Sequence, residues 1–424
     1  MSKAISKSVL KNGVRIVTRK IAHVRSVSMG VWVDVGARDE TEAESGLSHF
    51  IEHMIFKGTS TRSAYQIAKQ FDAIGGHTNA FTSMENTCYH AKVMDTHLET
   101  MVDILLDIFL GSVFDPDEIE RERPVIVQEI GMIEDSPEEF IHVLASRSFW
   151  GEHALGRSII GTRDNIIGFT RKAIVSYFRR LYQPERVIVC AAGNVDHDHF
   201  VDLVGATLET LTASNHFLKR ETPVGCAGIS SHQRDLEQAH LCLGTKGLAI
   251  VDERRYAFSL MNTLLGGNMS SRLFQKIREQ RGLAYSVYSF MASHADSGMF
   301  GAYAGVDPKN ANETIGLILE EMRTLKEVSV SADELRDAKE FTKGSLLLSS
   351  ESVDNQMVRL AQNEIHFQKF IPVEDVVARI EAVKAEDVQS LAKALFQPDF
   401  FTLNSLGSMT APVIDQNQLA DLLN

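Results

Sequence analysis

The amino-acid sequence predicts an α+β protein of two tandemly duplicated domains, each a mainly antiparallel sheet covered on one face by helices. Three observations carry this expectation. The chain has 424 residues of ordinary globular composition, its helical and strand-like segments come in blocks without strict alternation, and one order of elements occurs twice. At roughly 100 to 200 residues per domain, two domains of about 210 residues are the simplest division, and each is large enough to bury its own core. With 44% hydrophobic and 23% charged residues, the chain is neither disordered, collagen-like nor a small disulfide scaffold.

The elements follow in order. Residues 13–18 alternate like a strand after the turn signal Asn12-Gly13, so the fold is expected to begin near residue 5. A second strand-like run covers 27–35, and a polar turn over 36–45 opens a helix over 46–56. Helices are expected over 63–73, 95–110, 116–134 and 170–181, and strands over 78–82, 86–93 and 187–193. Residues 214–232 lack a sustained period and collect Ser, Thr, Pro and Gly, which reads as a linker between a first domain, 1–213, and a second, 233–424. In the second half, a helical run over 274–280, Arg281-Gly282, a hairpin and Val306-Asp307 repeat the helix ending at Gly75-Gly76, the hairpin and Met94-Asp95. Asp333-Glu334-Leu335 then repeats Asp117-Glu118-Ile119.

Composition also narrows the function. Forty-three Lys and Arg against 56 Asp and Glu give a net charge of −13, which disfavours duplex DNA or an anionic membrane as a partner. The four cysteines show no CxxC spacing, so neither a disulfide framework nor a thiolate zinc site is expected, and a reducing compartment is the default. The chain has no apolar run of membrane-spanning length, and its first twenty residues, rich in Lys and Arg, do not read as a signal peptide.

The chemistry concentrates in residues 45–56. Leu47, Phe50, Ile51, Met54 and Ile55 form one apolar stripe at helical spacing, which leaves His49, Glu52 and His53 together on another face. Two histidines one turn apart can aim ring nitrogens at one ion, with a neighbouring carboxylate directed at the open position. The alternative is a solvated polar face. With Glu inside the His-x-x-x-His spacing, roughly 0.03 chance matches are expected in a chain of this size, which favours the metal.

A catalytic zinc needs a third protein ligand, best supplied by a carboxylate on a facing helix. Residues 116–134 have an apolar stripe of Ile119, Ile126, Ile130 and Ile133, and Glu122 and Glu129 nearly eclipse one another on another face. One can bind the metal while the other orients the site; both can equally be solvated helix carboxylates. Pro124 between them removes a helical hydrogen bond and is expected to kink the run.

His49-x-x-Glu52-His53 is the inverted zinc motif. Together with Glu122-x-x-x-x-x-x-Glu129 it resembles the pitrilysin-like zinc peptidases, closest to the β subunit of mitochondrial processing peptidase and its bacterial relatives. Thr78-Asn79-Ala80-Phe81-Thr82, Arg278-Glu279-Gln280-Arg281-Gly282-Leu283-Ala284-Tyr285 and Ala192-Gly193-Asn194-Val195 are similar to further motifs of that family, so the resemblance covers nearly the whole chain. It implies one Zn2+ per chain held by His49, His53 and Glu129, Glu52 as general base, and Glu122 as support for the site. It further implies Asn79, Ala80 and Phe81 as a peptide-binding edge strand, with Arg278 and Tyr285 reaching the substrate carbonyl.

Aligning the halves puts Phe258, Met261 and Asn262 near His49, Glu52 and His53, and Ala338 and Ser345 opposite Glu122 and Glu129, so the second half is expected to lack metal ligands. The resemblance implies a clam-like shell, an enclosed chamber for unfolded or extended peptides, and a homodimer or a heterodimer with a paralogue. It implies a bacterial cytoplasmic or mitochondrial matrix location, and the net charge argues for neither a nucleic-acid nor a membrane partner. The rival reading is a noncatalytic subunit of a paralogous peptidase, which would be metal-free and inactive. A third is a metal-dependent binding module, which would bind peptide without turnover.

Overall fold

The computed structural model describes residues 5–212, 219–409 and 413–423. In chain order the first elements are β1 (Ile5–Val9), β2 (Arg15–Lys20), β3 (Ser26–Val33), α1 (Leu47–Ile55), α2 (Ala64–Ala73), β4 (His77–Thr82) and β5 (Thr87–Met94). Then come α3 (Leu98–Gly111), α4 (Pro116–Asp135), α5 (Pro137–Trp150), α6 (Arg163–Gly168), α7 (Arg171–Leu181), β6 (Val187–Gly193) and α8 (His197–Leu208). The remainder comprises β7 (Gly228–Gln233), β8 (Ala239–Lys246), α9 (Arg255–Leu265), a π-helical turn over Phe274–Glu279, β9 (Ala284–Ser293) and β10 (Gly298–Val306). It closes with α10 (Ala311–Glu327), α11 (Ala332–Ser349), α12 (Val353–Phe367), α13 (Val373–Ala382), α14 (Ala385–Leu395), β11 (Thr402–Gly407) and α15 (Gln416–Leu423).

The strands form two sheets, with orders β1-β2-β6-β3-β5-β4 and β7-β11-β8-β10-β9. Matching β2 with β7, β6 with β11, β3 with β8, β5 with β10 and β4 with β9 reproduces every neighbour. It also reproduces every direction: the β2/β6 and β7/β11 pairs are parallel and the others antiparallel. The protein is therefore a duplicated α+β fold, and β1 is an addition to the first sheet.

Helices cover both faces of the first sheet, where one covered face was expected. The central strands β3 and β6 are buried almost throughout, as continuous apolar runs covered on both sides are. The face carrying Trp32, Cys88 and Cys190 packs against Met357, Leu360 and Ala361 of α12, and the Trp32 indole N–H donates to Met357 Sδ at 3.2 Å. At the end of β6, Gly193 takes φ +131°, and a Cβ there would lie 2.1 Å from the Ser26 carbonyl oxygen.

The division at 213 and 233 into contiguous halves is corrected. One compact unit gathers Met1–Gly131, Ser158–Arg220 and Leu348–Phe370, and the other Met132–Arg157, Glu221–Leu347 and Ile371–Asn424. Each half of the chain lends a helical segment to the other half's sheet: α12 packs on β3 and β6, and α5 on β8 and β11. Helical periodicity reports that a face is apolar and carries no information on which sheet receives it. Of the expected linker, 214–218 lie outside the described residues. Arg220 belongs to the first unit through ion pairs with Asp34 and Asp39, and 228–232 form most of β7.

Candidate metal centre

The helix α1 forms where the stripe predicts, with Leu47, Phe50, Ile51, Met54 and Ile55 all buried. Its start is built from outside the helix. Gly46 supplies the left-handed conformation at φ +102°, and the Glu40 carboxylate accepts the Gly46 N–H at 2.8 Å and the Ser48 N–H at 2.7 Å. A carboxylate on the first free amides complements the helix dipole. The Ser48 hydroxyl meets the Tyr177 hydroxyl of α7 at 2.8 Å, which ties the turn that carries His49 to the core.

The helix α4 runs unbroken through Pro124. Ile119, Ile126 and Ile130 are buried, so both glutamates of its other face turn toward α1. Glu129 Oε2 lies 3.6 Å from His49 Nε2 and 3.6 Å from His53 Nε2. The donor atoms of His49, His53 and Glu129 all fall within 4.8 Å of one another. Glu122 is buried and takes the other side of the His53 ring, with Oε1 2.8 Å from Nδ1. The ring nitrogen Nε2 of His53 is thereby left for an ion.

This donor set fits zinc. Two imidazoles and a carboxylate leave one coordination position free, and one imidazole is already oriented by a second carboxylate. His49 differs: its Nδ1 is buried without a hydrogen-bond partner among the described residues, so packing orients that ring.

From the protein's own groups, the histidines are driven apart. Burial and the neighbouring His53 lower the His49 imidazole to about 4, against a smaller opposing pull from Glu129. Burial also acts to lower His53, but hydrogen bonds to Glu122 and Glu129 and their charges outweigh it and raise that ring to about 9. Glu52 stands next to His53 on the same helix. Burial raises its carboxyl above the usual range, against a lowering contribution from the Thr82 hydroxyl, which donates to Oε2 at 2.6 Å.

The remaining expected site residues fall in two places. Asn79, Ala80 and Phe81 lie on β4, the last strand of the first sheet, whose outer edge pairs with no strand among the described residues. The Ala80 N–H is bonded to Asn79 Oδ1 at 2.9 Å, and the Phe81 ring packs edge-on against Trp32 at 5.3 Å. Arg278 and Tyr285 lie in the second unit. There the Arg278 guanidinium sits 4.7 Å from the Phe274 ring and 4.8 Å from the ring of exposed Tyr285.

Sequence reading missed Thr82, Lys57 and Glu40. Lys57 Nζ approaches Glu122 Oε2 at 2.5 Å. Its position four residues after His53 is a signal legible in retrospect. The partners of Thr82 and Glu40 depend on turns whose geometry no local pattern gives.

Residues 15–163 match the family Insulinase (Peptidase family M16), and residues 168–341 match the Peptidase M16 inactive domain. The chain is 42% identical to the uncharacterized zinc protease YmxG of Bacillus subtilis, over 93% of this chain and 97% of that protein. It is 40% identical to an uncharacterized zinc protease of Streptomyces coelicolor, over 92% of this chain and 86% of that one. Among solved structures, a protease from Helicobacter pylori superposes with a TM-score of 0.88 at 23% identity, over 95% of this chain and 99% of that one. A structure described as the peptidase M16 inactive domain from Pseudomonas fluorescens does so with 0.90 at 18%, over 96% and 99%. With an inverted zinc motif and a facing glutamate, a duplicated fold and these relatives, the chain belongs to the M16 family of peptidases.

Proposed function

We propose that this protein is a zinc metalloendopeptidase that hydrolyses extended or unfolded peptides, with one zinc ion held by His49, His53 and Glu129. The observation that carries the proposal is the convergence of those three donors within 4.8 Å, with Glu52 adjacent on the same helix. Zinc bound there supplies Lewis acidity, lowering the pKa of water and polarising the scissile carbonyl.

The protein's own groups do the rest. Glu52 accepts a proton from the attacking water and passes it to the leaving amine, and the Thr82 hydroxyl keeps its carboxylate in one orientation. Partial burial keeps the Glu52 carboxyl closer to neutral pH in its proton affinity than an exposed glutamate. The free edge of β4 takes an extended peptide by main-chain pairing, and a bound carbonyl would replace Asn79 Oδ1 at the Ala80 N–H. Arg278 and Tyr285 retain the oxyanion-stabilising role in this proposal, on the strength of their motif.

No described helix is long and apolar enough to cross a membrane. We place the enzyme in the cytoplasm and expect a homodimer, or a heterodimer with a paralogue. A peptide library cleaved by the wild type with zinc, and left intact by Glu52→Gln protein that still holds zinc, supports the reading. A metal-free, inactive wild type would overturn it in favour of a noncatalytic subunit, and tight peptide binding without turnover would favour a binding module.

A further inference from the structure

The contacts of Glu122 extend beyond the donor set. One oxygen faces His53 Nδ1 at 2.8 Å, and the other is held by Lys57 Nζ at 2.5 Å, while the carboxylate itself is buried. Lys57 is half-buried and follows the last turn of α1, where its N–H bonds to the Met54 carbonyl at 3.0 Å. Its backbone is thus fixed to the helix that presents His53, and a cation at a helix C-terminus is favoured there.

Resting on the zinc reading above, we propose that Lys57 is a positioning residue for the metal centre, acting through Glu122 on His53. A buried carboxylate with a single hydrogen-bond partner can rotate its free oxygen toward any donor. With Oε2 held by the Lys57 ammonium, Oε1 has one direction left, and that direction meets His53 Nδ1. The neutral imidazole, the form that binds a metal, is then held as the tautomer that carries its proton on Nδ1 and its lone pair on Nε2, beside Glu129 and His49. The cation also balances the Glu122 charge within its burial, so the orienting carboxylate does not depend on the ligand histidine for charge compensation. Lys57 touches neither the donor atoms nor the edge strand, so it is no catalytic residue.

Zinc affinity, measured by competition with a chromophoric chelator, is the readout. Lys57→Met should weaken zinc about tenfold, the lower end of the range for residues that orient metal ligands, and Lys57→Arg should recover most of that loss. Because Lys57 acts through Glu122, Lys57→Met/Glu122→Gln should bind zinc within about twofold of Glu122→Gln alone. Zinc-free Lys57→Met protein should melt below the wild type, because Glu122 keeps its charge in a buried place, and adding Glu122→Gln should restore the melting temperature, whereas a lysine acting independently of Glu122 would show no such rescue. A zinc-binding wild type with an unaltered Lys57→Met, or a double variant that loses the product of the two single effects, overturns this inference alone. A wild type that takes up no zinc overturns the zinc reading and this inference with it.

Discussion

The two sheets have one strand order and different chemistry. In the first unit α1 carries His49, Glu52 and His53 on a polar face, and α4 opposes them with Glu122 and Glu129. In the second, α9 carries Phe258 and Met261, both in the core, and α11 carries buried Ala338 and exposed Ser345. Each unit has its own scaffolding contacts, at positions that do not correspond. Glu52 accepts from Thr82 on the edge strand β4, and Asn262 Oδ1 accepts from Ser289 on the edge strand β9 at 2.8 Å. Arg62 pairs with Asp103 and Asp107 of α3, and Lys276 pairs with Glu320 and Glu321 of α10. Helix packing and strand pairing therefore preserve the fold, whereas the face that holds metal donors is free to become core.

That comparison can be broken most severely at the third donor. Glu129→Gln should weaken zinc more than about 100-fold and abolish cleavage, as measured by metal content and a quenched peptide. Substituting Ser345 should change neither. The next effect separates binding from chemistry: Glu52→Gln should lose about 10²- to 10⁴-fold in kcat while retaining zinc.

The equivalent position inverts the outcome. Met261→Glu places a carboxylate at a fully buried site and should destabilise the protein by about 3 kcal/mol or more in urea unfolding. Glu52→Met should leave stability equal or higher. Thr82→Val should lower kcat by about tenfold without changing zinc content, the value of one hydrogen bond to a charged group.

The smallest effect tests the ion pairs of the first unit. Burial raises the Asp107 carboxyl, but Arg62, Thr59 and Thr61 outweigh it and hold it below its ordinary value. Its folded pKa thus lies below the unfolded one. The stabilisation is present above about pH 4 and lost as pH falls through the folded value. Asp107→Asn should therefore reduce stability by less than about 1 kcal/mol at pH 7 and narrow the difference from the wild type at low pH.

Much of the centre was legible before any fold was known, because His49, Glu52 and His53 share one helix and a period of 3.6 residues. Glu129 was legible as one of two carboxylates on a facing stripe, but the choice between it and Glu122 rested on family resemblance. The distances now separate them: Glu129 reaches both His Nε2 atoms, and Glu122 turns to His53 Nδ1 and Lys57. Thr82 and Glu40 were not legible, since a hydroxyl in a strand and a carboxylate in a polar turn have many equivalent partners until the chain closes.

The sequence by itself determined the helix and strand periods, the duplication and the inverted motif, because apolar spacing and residue chemistry act over a few positions. Only the tertiary structure decided that α5 and α12 each cover a sheet built mainly from the other half of the chain. An apolar helix face records that it must be buried and leaves the choice of sheet to packing. For the same reason only the fold tied Lys57 to Glu122 and Thr82 to Glu52: a charge or a hydroxyl is satisfied by whichever partner the finished backbone brings within about 3 Å.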